Sequence, residues 1–149
     1  MCVTDQGVRA MVTSGPAQPL LHDTRELERA VAAPVHDDPA WRERVAVRLR
    51  GLRTAFDEHM RDTEGPYGHY AAVVDSAPRL AYNVDGLVRE HAAVLDGLRT
   101  LQEQVEGDDP VAEEIRVWAR LLVRQLFQHR QRGADLLLEA YQTDIGGSD

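Results

Sequence analysis

Apolar residues recur through most of the chain at helical spacing. Between Leu80 and Val105 the positions Leu80, Val84, Leu87, His91, Val94, Leu98, Leu101 and Val105 alternate steps of four and three, which draws one continuous stripe along a helix. A titratable imidazole sits at the midpoint of an otherwise apolar seam. A second stripe runs through Val45, Leu49, Leu52, Phe56 and His59, and a third through Ile115, Trp118, Leu122, Leu126, His129 and Leu136. Three long helices are therefore expected to point one histidine each into a shared core. A shorter helix over Leu20 to Ala33 turns Leu27, Ala30 and Val31 inward and Arg25, Glu26, Glu28 and Arg29 outward.

Breakers set the bounds of these helices. Pro34 ends the first, because proline lacks the amide and clashes with the preceding turn. Asp37 or Asp38 caps the second, with Pro39 in its first turn, and Gly65-Pro66 stops it after about Thr63. The stretch from Tyr67 to Asp75 reads as a separate short helix. Ser76 is expected to cap the long third helix, with Pro78 inside its first turn, and Gly107 to Pro110 to end it and start the fourth, which runs to about Gln142. Gly133 inside the fourth helix costs about 1 kcal/mol relative to alanine and marks a kink or a close helix approach. No stretch alternates in the manner of a strand. The expected fold is an all-α, antiparallel up-down four-helix bundle over residues 20–145, with flexible segments at 1–19 and 146–149.

Composition narrows the function classes. The chain has 149 residues, the size of one domain with one sizeable core. Its net charge of −8 argues against a nucleic-acid partner or an anionic membrane, since binding phosphates takes clustered cations. All 17 basic side chains are arginine; this reads as coding bias rather than guanidinium chemistry. Cys2 is the lone cysteine, so neither an internal disulfide nor a thiolate metal cluster can form. With no signal-peptide pattern and no apolar run of about 20 residues, a soluble cytoplasmic protein is expected.

The chemistry lies with the histidines. A buried imidazole needs partners for both nitrogens, and an unsatisfied polar group in an apolar core costs on the order of 1–3 kcal/mol. A metal ion satisfies several imidazoles at once; neighbouring carboxylates or buried water could also satisfy each singly. His91 precedes Val105 by 14 residues and His129 follows Val111 by 18, a mismatch of about 6 Å at 1.5 Å per residue that a loop can absorb. His59 joins them only if the segment 66–76 folds back beside the bundle. His22 lies about 160–180° round an ideal helix from Leu27 and Val31, and His36 and His69 are assigned surface roles. Among acids, Glu64 follows His59 by five residues, Asp62 by three, Asp96 follows His91 by five, and Asp135 follows His129 by six, a poor spacing.

The stretches Phe56-Asp57-Glu58-His59-Met60-Arg61-Asp62-Thr63-Glu64-Gly65-Pro66, Arg89-Glu90-His91 and Gln128-His129-Arg130-Gln131-Arg132-Gly133 resemble the hemerythrin-like, or HHE cation-binding, family. That resemblance implies a four-helix bundle around a non-haem di-iron site, in proteins that bind oxygen, sense oxygen, nitric oxide or iron, or act on peroxide. Carried over, His22, His59, His91 and His129 would be the ligands of the first to fourth helices and Glu64 a candidate bridging carboxylate. The chain departs from the family where Thr63, Leu95 and Gly133 stand at positions that often hold an acid or a histidine. The ligand set is thus short for two irons, and two irons, one metal or none all remain open. Alternatives are a metal-free degenerate bundle serving as a structural or interaction module, and bis-histidine haem binding between helices. No nucleophile triad, phosphate-binding glycine loop or Glu-x-x-His pair is present to suggest other chemistry.

Overall fold

Pro34, Gly65-Pro66, Pro78 and Gly107 divide the chain much as their chemistry requires. The computed structural model describes residues 17–108 and 111–146. Helix α1 is Ala17–Ala32, α2 Asp38–Glu64, α3 His69–Ser76, α4 Ala81–Glu106 and α5 Ala112–Gly146, with a 3-10 turn at Pro78–Leu80 between α3 and α4. The flexible ends expected over 1–19 and 146–149 fall outside the described residues, apart from 17–19 and Gly146, which are helical. Among the described residues there is no strand, and no helix is long and apolar enough to cross a membrane.

Local chemistry explains the bounds. Asp37 is the N-cap of α2 with extended backbone, Pro39 lies in the first turn, and Asp38 puts a negative charge at the positive end of the helix. Ser76 does not cap the long helix as the sequence suggests: it ends α3. Pro78 crowds the residue before it, so Ala77 takes φ −139°, ψ 77°, and α4 begins only at Ala81, after the 3-10 turn. Gly68 has a steric role. A Cβ there would sit 2.6 Å from the Thr63 carbonyl oxygen, so only glycine lets the chain turn back tightly against the end of α2.

The four long helices pack in a closed ring, α1 on α2, α2 on α4, α4 on α5 and α5 on α1. Arg42 near the start of α2 donates to the Gly107 carbonyl at 2.9 Å, and Arg116 near the start of α5 donates to the carbonyls of Val31 and Ala33 at 3.0 and 2.9 Å. These arginines satisfy carbonyls that a helix end leaves open. Arg116 also lies over the Trp41 ring, 5.7 Å from its centroid.

The interior is two clusters. The larger holds Leu27 and Val31 of α1, Trp41, Val45, Leu49, Leu52 and Phe56 of α2, Val94, Leu98, Leu101 and Val105 of α4, and Ile115, Ala119, Leu122 and Leu126 of α5. The smaller lies under α3, where Tyr70 and Val73 meet Leu80, Val84, Leu87, Leu136 and Ala140. Every position of the Leu80 to Val105 stripe is buried. The α5 stripe is corrected at one place: Trp118 is 54% exposed, and Ala119 takes its inward position. Ile115, Ala119, Leu122, Leu126 and His129 keep steps of four and three, and the small alanine suits a tight helix contact. Gly133 marks no close approach, since nothing lies within 4 Å of a Cβ placed there, and α5 continues through it. The close approach is at Gly97, whose Cβ would meet Leu122 at 3.3 Å.

Candidate metal centre

His59 of α2, His91 of α4 and His129 of α5 come together where the two clusters meet. His91 and His129 are each 1% exposed and His59 is 7% exposed. Burial follows from the stripes, because each histidine occupies an inward position among leucines and valines. Segment 66–76 does fold back, with α3 packed on α2, α4 and α5, which is the condition under which His59 joins the other two. The Phe56 ring lies against all three imidazoles, at centroid distances of 5.9, 5.5 and 6.4 Å from His59, His91 and His129.

The three rings converge through one kind of atom. Nε2 of His129 is 3.2 Å from Nε2 of His59 and 3.0 Å from Nε2 of His91. One nitrogen from each ring can be chosen so that all lie within 4.8 Å of one another. Ligands about 2.1 Å from a common ion are about 3.0 Å apart at right angles and about 3.4 Å apart at tetrahedral angles, so the two short separations suit three imidazoles on one ion.

The opposite ring nitrogens give the protonation pattern. His129 Nδ1 faces Oε2 of Glu90 at 2.7 Å, and Glu90 is held in turn by the exposed Arg132. His91 Nδ1 lies 3.3 Å from Oε2 of Glu64, out of hydrogen-bonding alignment. A carboxylate beside Nδ1 favours the proton there and leaves Nε2 as a lone pair. The Nε2 atoms of His129 and His91 stand 3.0 Å apart, close enough for one imidazole N–H to donate to the other or for both nitrogens to ligate one cation. His59 Nδ1 is buried without a hydrogen-bond partner.

Electrostatics keep the His59 and His91 rings neutral. Burial, then the charges of His129 and His69, push His59 down to about 4; burial, then His129 and His59, push His91 down to about 3. Neutral imidazole is the form that binds a metal. Burial also raises the Glu64 carboxyl above its ordinary range, and it holds Tyr70 firmly in the phenol form.

Comparisons with protein-family models, with curated proteins and with solved structures return no match. The site therefore rests on its own geometry.

The remaining sequence candidates are placed as follows. His22 is exposed on α1 and is not brought to the cluster; Leu20, Thr24, Leu27 and Val31 take the inward positions. That agrees with the helical angle rather than with the ligand role implied by the family resemblance. Glu64 reaches the site at Nδ1 of His91, the edge away from the convergence point, so as placed it orients a ligand rather than bridging ions. His36 is exposed and His69 is half-buried. Asp62, Asp96 and Asp135 are all exposed, Asp135 accepting a bond from Gln131. Sequence reasoning missed Glu90 and Tyr70. Glu90 directly precedes a core histidine and so flanks the stripe; Tyr70, whose hydroxyl is 3.3 Å from His91 Nε2, gives no periodic signal because α3 spans barely two turns.

Proposed function

We propose that this chain is a hemerythrin-like metal protein, an antiparallel up-down bundle that holds one non-haem iron ion on His59, His91 and His129. The antiparallel reading is supported by the arginine contacts, in which the start of α5 meets the end of α1 and the start of α2 meets the end of α4. The metal reading is carried by a single observation: three buried Nε2 atoms face one another, two of them on rings backed by carboxylates. That pairing of ligand histidine with outer carboxylate is the usual way a protein orients an imidazole toward a metal.

Imidazole donors suit iron, zinc, copper and nickel; the family resemblance selects iron. A single point of convergence, with both nearby carboxylates on the far ring nitrogens, favours one ion over a bridged pair. Iron supplies a redox-active centre with positions left for a diatomic gas or peroxide. Phe56, Leu87, Val94, Leu122 and Leu126, all buried, keep water from the site and suit a small ligand of low polarity.

The test is iron content and absorption spectrum of untagged protein from iron-supplemented medium, before and after anaerobic reconstitution with ferrous iron. One iron per chain, lost in His91→Ala, is expected. Two irons would overturn the single-ion reading in favour of a bridged pair. A Soret band would replace it with haem, no metal would leave a metal-free bundle, and unchanged stoichiometry in His91→Ala would overturn the assignment of His91 as a ligand.

A further inference from the structure

Tyr70 is 7% exposed and lies in the small cluster under α3 with Val73, Leu80, Val84, Leu87 and Leu136. A phenylalanine would fill that apolar space equally well but would not supply the hydroxyl, which is hydrogen-bonded with the Thr63 side chain and reaches His91. Its oxygen is 3.3 Å from Nε2 of His91, the same atom that faces His129 Nε2 at 3.0 Å. The phenol ring stacks on the His91 imidazole, with planes 21° apart and centroids 5.7 Å apart. Gly68 makes this placement possible, since the turn against Thr63 that glycine alone allows leads straight into α3.

We infer that Tyr70 is the fourth protein donor of the centre, its oxygen completing a set of three nitrogens and one oxygen. The inference rests on the metal reading above and adds to it a ligand and a preference of oxidation state. The two carboxylates nearest the cluster contact Nδ1 atoms, so the converging nitrogens carry no negative charge among them. A phenolate supplies one. On binding, the metal–oxygen bond forms as the O–H bond breaks and the proton passes to solvent water; no electron moves. A hard, anionic oxygen added to three imidazoles favours ferric over ferrous iron.

Wild-type protein and Tyr70→Phe are each loaded anaerobically with ferrous iron, oxidised with ferricyanide as one-electron oxidant, and compared by iron content, visible absorption and resonance Raman scattering. The wild type is expected to show a phenolate-to-iron(III) charge-transfer band with tyrosinate ring vibrations. Tyr70→Phe keeps its helicity and its iron and loses both signals. Tyr67 and Tyr82 are exposed on the surface and Tyr141 is half-buried near the end of α5, so it is the loss of the tyrosinate modes in Tyr70→Phe that assigns them to Tyr70. Iron bound by both proteins with no tyrosinate signal, or with a signal that survives Tyr70→Phe, overturns this inference and leaves the three-histidine reading standing. Failure of both proteins to take up iron overturns the two together.

Discussion

Glu90→Ala is the substitution that tests the histidine geometry most directly. It removes the carboxylate 2.7 Å from His129 Nδ1 and leaves the ring free to rotate or to carry its proton on Nε2, where it blocks the metal. Loss of an outer carboxylate of this kind costs about 10–100-fold in metal affinity. Because the Glu90 side chain is 24% exposed, water can partly replace it, and the expected loss lies at the lower end, about tenfold, or about 1.4 kcal/mol. Competition against a chromophoric chelator, with cobalt(II) or zinc(II) as the probe ion, measures it. Arg132→Ala serves as the control: Arg132 touches Glu90 from the solvent side and is 58% exposed, so its removal is expected to cost well under 1 kcal/mol. An affinity for Glu90→Ala within about twofold of the wild type would refute the claim that the carboxylate fixes His129 for a metal.

Two further outcomes follow from burial and from glycine. In metal-free protein, His59 and His91 take up protons near 4 and 3 when folded against 6.5 when unfolded. The unfolded chain therefore binds more protons below 6.5, and stability falls on acidification from there, by up to about 1.4 kcal/mol per pH unit for each histidine; a Tm that stays flat between pH 7 and pH 5 after chelation would contradict neutral burial. Gly133→Ala, with nothing within 4 Å of the new Cβ, is expected to raise stability by about 1 kcal/mol, whereas Gly68→Ala must displace the Thr63 carbonyl 2.6 Å away and lowers it; chemical denaturation of the two variants reads both signs.

The helical stripes made the core legible because burial on a helix repeats with a fixed period, and His59, His91 and His129 were found as polar residues on that period. Trp118 was misplaced for the complementary reason. Hydrophobicity ranks tryptophan above alanine, yet register, which runs through Ala119, decides which residue faces inward. Ser76 looked like a cap because it precedes a proline and an apolar run, and only the restraint of Pro78 on Ala77 moves the start of α4 to Ala81. Glu90 and Tyr70 meet histidines brought from other helices, 39 residues away for His129 and 21 for His91. No local pattern encodes such pairs.

The three histidines are also far apart along the chain: His59 and His129 are separated by 70 residues and His91 and His129 by 38. An ion held between them would act as a clasp, closing long loops that an unfolded chain must otherwise leave open. The entropy of closing such a loop grows with the logarithm of its length, and metal-binding energy drawn from residues gathered only by folding is itself folding energy. It would join α2, α4 and α5 at the seam where the small cluster under α3 meets the large one, so that the two clusters, separate in their packing, would melt as one.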